Sequence, residues 1–171
     1  MKRVNRILHH PMYVTKLEQL QILESDRVFC RHDLQHLLDV ARLTWIEVLE
    51  QKLKLDREVV YAAALLHDIG RVEQIERGTP HDQASAELAA TLLPDTGFSE
   101  DEVKEIIYAI LAHRTDSAQN ILGQLLYRAD KRSRACWSCK ARNQCKWAEE
   151  KKNSGNILRS EERRVGKECR S

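Results

Sequence analysis

Apolar positions along the chain recur at helical rather than strand spacing. From Asp33 to Leu53, the residues Leu34, Leu37, Leu38, Ala41, Trp45, Val48 and Leu49 mark one face of a long helix. An N-terminal helical stretch covers about Lys2–His9 and resumes over Met12–Glu24 after a break at Pro11. A third helix, Glu58–Ile69, starts behind the N-cap Asp56. It is apolar nearly all round from Val59 to Leu66, which marks it as buried. Gly70 is expected to end it in the left-handed conformation. Thr79-Pro80-His81-Asp82 opens a fourth helix, with Thr79 as cap and Pro80 in the first position; Pro94 and Gly97 close it. Ser99 and Glu102 form a capping box for a fifth helix that runs to about His113. A sixth spans about Ser117–Ser133, and a short segment from Cys136 to Lys152 follows. Alternating β-branched runs and hairpin turn signals are lacking, so the expected fold is all-α, a multi-helix bundle.

Composition narrows this picture. Residues 1–158 are read as one domain with a Cys-rich C-terminal part, about 136–152. Residues 159–171 have no apolar period and resemble a translated sequencing adapter, so they are set aside as a non-native tail. That tail carries the whole formal charge of +2, which leaves a neutral body and no charge argument for nucleic acid. No signal peptide and no membrane-length apolar run is found, so a cytoplasmic protein off the membrane is expected. Its cysteines are then thiols or metal ligands rather than disulfides. Oligomeric state is not readable from the sequence.

The candidate chemistry lies in where the histidines fall. His36 sits early in the second helix, His67-Asp68 ends the third, His81 begins the fourth and His113 ends the fifth. Asp130 lies near the end of the sixth. Helix ends converge in bundles, so these groups can meet at one centre. A carboxylate at the end of a buried helix is costly unless a cation compensates it, and Asp68 is such a carboxylate. Imidazole and carboxylate together suit transition metals. Two other His-Asp pairs, His32-Asp33 and His81-Asp82, lack the buried helix before them.

Ala63-Ala64-Leu65-Leu66-His67-Asp68-Ile69-Gly70-Arg71 resembles the signature of the HD superfamily of metal-dependent phosphohydrolases. His36-Leu37-Leu38-Asp39-Val40-Ala41 and Ala129-Asp130-Lys131 are similar to its first and last ligand segments. The resemblance covers about Arg31–Arg132 and implies an HD-type bundle with His36, His67, Asp68 and Asp130 as metal ligands. His81 and His113 resemble the two further ligands of two-metal members, such as the bacterial dinucleoside tetraphosphate hydrolases; alternatively they cap and pack helix ends. The implied reaction is cleavage of a phosphate ester or anhydride of a nucleotide or related small molecule. A hydroxide activated by Fe, Mn, Co, Ni or Zn would be the nucleophile. Arg71, Arg114 and Lys131, each beside a ligand, are candidate phosphate contacts or solvated charges. His32, one turn before His36, is a candidate ligand, proton donor or solvated residue.

Cys136, Cys139 and Cys145 form a compact thiol cluster, and Cys30 stands six residues before His36 just as Cys136 stands six after Asp130. A second site, structural zinc or an iron–sulfur cluster, is therefore a candidate beside chance reduced thiols. Two other functional classes stay open: a di-iron oxygenase on the same fold, and a ligand-sensing module without turnover.

Overall fold

The computed structural model describes residues 1–114 and 119–153. The predicted start of the sixth helix at Ser117, and the tail 159–171 with Cys169, lie outside the described residues. Within them the chain forms eight α-helices and no strand: α1 (Lys2–Leu8), α2 (Pro11–Leu23), α3 (Leu34–Glu50), α4 (Arg57–Leu66), α5 (Arg71–Arg77), α6 (His81–Thr96), α7 (Glu100–Ala112) and α8 (Ile121–Arg132). Three 3₁₀ turns, Cys136–Ser138, Arg142–Gln144 and Glu149–Lys151, complete the described chain. The all-α expectation holds.

The apolar helix α4 is the axis of the molecule. Val59, Val60 and Ala62 through Leu66 are all buried, and α4 packs mainly against α3 and α7. Helix α8 lies along α3 and α7, and α6 covers α7. Glu47 of α3, buried, accepts from Arg128 Nε at 2.9 Å and Arg132 Nη1 at 3.3 Å, which ties α8 to α3. Side-chain caps fix several helix starts: Asp33 accepts from His36 N, Asp56 from Glu58 N and Val59 N, and Asn120 from Gly123 N. The Ser99–Glu102 capping box is formed in full.

The structure corrects two local expectations. Gly70 is not left-handed: its φ is −72° and ψ is 3°, and it precedes α5, a helix the apolar pattern did not show. A glycine stands there because of close approach. A Cβ on Gly70 would lie 2.4 Å from Ser85 N and 2.5 Å from His81 O, so the backbone of α6 passes directly over this turn. Gly70 N also donates to Ser85 Oγ at 2.9 Å. Thr79 is not the cap of α6; Pro80 keeps an extended ψ of 126°, so His81 is the first helical residue. The last α-helix begins at Ile121 behind Asn120.

Candidate metal centre

Five histidines and two aspartates meet where the ends of α3, α4, α6, α7 and α8 converge. Asp68, at 1% exposure, is the middle of the group. Its two oxygens face different partners. Oδ2 lies 3.2 Å from His67 Nε2 and 3.7 Å from His36 Nε2, and His36 Nε2 lies 3.4 Å from Asp130 Oδ1. Oδ1 lies 3.3 Å from His81 Nε2 and 3.9 Å from His113 Nε2, whose two nitrogens are 3.3 Å apart. Two sets of ligand atoms, each within 4.8 Å, result: His36, His67, Asp68 and Asp130, and Asp68, His81 and His113. All of these residues are buried.

Local structure aims the rings. His67 Nδ1 donates to the carbonyl of Ala64 at 2.7 Å, and His113 Nδ1 donates to that of Ile110. The Ser133 hydroxyl donates to Asp130 O at 2.8 Å and lies 3.1 Å from His36 Nδ1, which therefore donates to it. In the neutral rings each Nε2 then carries the lone pair, turned toward Asp68 in His67 and His113 and met by Arg134 Nη2 at 3.0 Å in His36. An Nδ1–H held by an oxygen with Nε2 free to ligate is the arrangement that metal-binding histidines take. His67 Nε2 and Asp68 Oδ2 are buried without a hydrogen-bond partner. Such atoms are costly in a dry interior unless something outside the chain engages them. Imidazole nitrogens and shared carboxylates fit borderline divalent ions.

Electrostatics agree with the geometry. Burial pushes the Asp68 carboxyl up, but His67 and Arg71 outweigh it and hold it well below the ordinary carboxylate range. Burial also opposes ionisation of Asp130, while His36 and Arg134 hold it well below that range. Burial depresses His81 and His113 to about 4, helped by Arg71 and His67 respectively, so both are neutral near pH 7. His67 is the exception: burial lowers it, yet the touching Asp68 carboxylate carries it above its ordinary value.

His32 is not on α3 but just before its cap, and it is 3% exposed. Its Nε2 lies 3.7 Å from Asp68 Oδ2, and its Nδ1 lies 2.7 Å from Glu24 Oε1. Arg71 Nε reaches Asp68 Oδ1 at 2.8 Å, and Lys131 pairs with Asp130 Oδ2. Arg114 is not brought to the centre. Neighbouring residues at a helix end project in different directions, and Arg114 turns outward to Asp82 at 3.2 Å while His113 turns in. Sequence reasoning missed Glu24, Ser133 and Arg134. Arg134 Nη2 lies 3.0 Å from both Asp130 Oδ1 and His36 Nε2; its spacing of four after Asp130 was the available signal. Glu24 had none.

A family model for the HD domain matches residues 33–135. The chain belongs to the HD domain family. HD domains bind divalent metals, and the buried His/Asp groups are able to hold them. An uncharacterized protein of Clostridium beijerinckii is 44% identical over 153 residues, which cover 90% of this chain and 97% of its own length. Ribonuclease Y of Oleidesulfovibrio alaskensis is 35% identical over 127 residues, or 74% of this chain, but the match spans only 22% of that enzyme. The crystal structure of a predicted HD superfamily hydrolase from an uncultured Thermotogales bacterium superposes with a TM-score of 0.62 at 25% identity, covering 93% of this chain and 91% of that one. No described helix is long and apolar enough to cross a membrane.

Proposed function

We propose that this HD domain is a two-metal phosphohydrolase that cleaves a phosphate ester or anhydride of a nucleotide or related small molecule. One observation carries the reading: Asp68 turns one oxygen to each of two buried ligand groups. His36, His67 and Asp130 would hold one ion with Asp68, and His81 and His113 the other. Bound there, the ions would supply Lewis acidity and a nucleophile at neutral pH.

The chain's own groups do the rest. A cavity of about 350 Å³ opens beside the centre and is lined by His32, Arg71, Asp130, Lys131 and Arg134 among others. Arg71, Lys131 and Arg134 bind phosphate oxygens there and offset charge that grows in the transition state. Their present partners, Asp68 and Asp130, are the carboxylates that the ions would engage. Burial depresses His32 to about 4 although the Glu24 contact opposes it, so the ring is neutral near pH 7. Its Nε2 can accept a proton on the Asp68 side, with Glu24 stabilising the imidazolium that results.

Similarity to ribonuclease Y supports a second reading, in which the bond cut is a phosphodiester of RNA. The test is product release from a panel of nucleotides, dinucleoside polyphosphates and an oligoribonucleotide, with manganese or ferrous iron added, in the presence and absence of oxygen. We expect turnover that ignores oxygen and vanishes in Asp68→Ala. Turnover that requires oxygen would identify an oxygenase, and binding without turnover a sensor; either overturns the hydrolase.

A further inference from the structure

The four described cysteines take no part in the centre above, yet all of them line the cavity that opens beside it. Cys30 comes from the loop between α2 and α3; Cys136, Cys139 and Cys145 come from the 3₁₀ segment after α8. They are about 100 residues apart in sequence, and none is in a disulfide. Burial pushes the Cys30 thiol up; Arg134 opposes this, while Cys136 and Cys139, close in space, add to it. We propose that Cys30, Cys136, Cys139 and Cys145 ligate a [4Fe–4S] cluster in the wall of the cleft beside the histidine–aspartate centre.

Three observations carry this. The first is the packing of the segment itself. Between residues 136 and 152 only Cys136 and Ala141 are buried, and there is no α-helix. So little apolar burial does not hold 17 residues in one shape, and small coreless segments are held by covalent or metal crosslinks instead. Between the two thiol-bearing loops Arg134 Nη1 donates to Arg31 O at 3.0 Å, while Arg27 Nε, inside the first loop, donates to Cys30 O at 2.8 Å. The second is charge. Four thiolates bring more negative charge than a cluster core cancels, and the cavity wall carries Arg27, Arg134, Arg142, Lys146 and Lys152.

The third separates a cluster from a single ion. Thiolates on one tetrahedral zinc, at about 2.3 Å from it, stand roughly 3.8 Å from one another. Among the described residues, the groups whose ligand atoms fall within 4.8 Å are the two at Asp68, and the thiols form no such group. All four instead line one cavity of about 350 Å³, and a cubane, unlike a single ion, needs its cysteines spread around such a volume. The cluster would fix the loop that carries His32 against the segment that carries Arg142, Lys146 and Lys152.

The experiment is acid-labile sulfide, iron and zinc per chain on full-length protein purified without oxygen. Sulfide is the deciding quantity, because iron alone can sit at the histidine–aspartate centre. We expect about four sulfides per chain, with visible absorption that reduction bleaches. Cys139→Ser and Cys145→Ser should each lose most of the sulfide while keeping helical circular dichroism. Asp68→Ala should keep all of it, which separates this site from the other. The proposal is overturned by one zinc per chain that disappears in Cys139→Ser, or by sulfide that survives both serine variants. It is equally overturned if sulfide is absent both as isolated and after reconstitution with ferrous iron and sulfide. Should the serine variants not fold, that reconstitution of the wild-type chain decides alone.

Discussion

Two clusters of charge sit at different places in this molecule, and they are finished to different degrees. Around Arg3, every group has its partner. Arg3 N and Nε donate to Glu58 at 2.9 Å, Nη1 donates to Glu102 at 2.7 Å, and Nη2 donates to Asp56 at 3.0 Å. The N-terminal ammonium adds a contact to Glu58 at 3.0 Å. Around Asp68, imidazole faces carboxylate at 3.2–3.9 Å, and His67 Nε2 and Asp68 Oδ2 remain unpartnered. Both clusters hold helices together. Only the second has acceptor atoms left over, and leftover acceptors in a dry site are what a cation requires. The contrast separates an ion cluster that completes a fold from one arranged for something outside the chain.

The largest expected effect breaks the comparison at its functional side. Asp68→Ala should lower hydrolysis roughly 10³-fold or more, equivalent to about 4 kcal/mol. It should also remove the stabilisation that metal confers on unfolding. For the wild-type chain that stabilisation is about 2.7 kcal/mol when metal stands at one hundred times its dissociation constant. Arg3→Ala should keep the metal response in full. An equal metal-dependent shift of the unfolding midpoint in Asp68→Ala would remove the distinction drawn here.

Next in size is Gly70→Ala. The added methyl meets backbone atoms of Ser85, His81 and Ala84 at 2.4–2.8 Å, and backbone does not yield as a side-chain tip does. The start of α6 must shift, at a cost of about 1–3 kcal/mol. His81 moves with it, while His36, His67 and Asp130 do not depend on α6. Metal analysis should therefore show one ion per chain in the variant against the two proposed for the wild type. Two ions retained at wild-type affinity would refute this role for the turn.

How much of this was legible in the sequence follows from its physics. The bundle was, because a helix apolar on all faces, as Val59–Leu66 is, has only one place to be. The Asp68 neighbourhood was readable for the same reason: a carboxylate at the end of that helix cannot be solvated. Short α5 was not, since its seven residues bury only Val72 and so show no period. Gly70 was misread because a glycine's need for room above it looks, in sequence, like a need for positive φ. Arg114 was placed by adjacency to His113, and adjacency does not fix direction. Glu24 was out of reach: nothing local links it to His32, and only the return of the loop after α2 brings them together.

Glu24 gives the third test. It receives His32 N at 2.7 Å and His32 Nδ1 at 2.7 Å, so one carboxylate fixes both the loop and the ring. Glu24→Gln keeps the shape but weakens the hold on an Nδ1–H and removes the charge behind the ring. Loss of such a supporting group commonly costs 10–100-fold in activity or metal affinity, about 1.4–2.8 kcal/mol. The expected signature is a fall in kcat with the metal content of the wild-type chain retained. If His32 only fills space, kcat stays unchanged.

The smallest effect tests the finished cluster and runs through pH. Burial alone would raise the Glu58 carboxyl, but Arg3 and the N-terminal ammonium outweigh it and pull it from 4.5 to about 2. A carboxylate with a depressed folded value stabilises the fold above its unfolded value and loses that contribution as pH falls through the folded one. Here the window runs from 4.5 down to about 2. In chemical denaturation of metal-free protein, stability should decline across that window. At neutral pH, Arg3→Ala should cost about 1–2 kcal/mol through its lost charged hydrogen bonds. In the variant the decline on acidification should be shallower, because Glu58 then titrates closer to its unfolded value. Parallel acid profiles for the two proteins would mean that the Arg3 contacts, although every donor is paired, contribute nothing measurable to the fold.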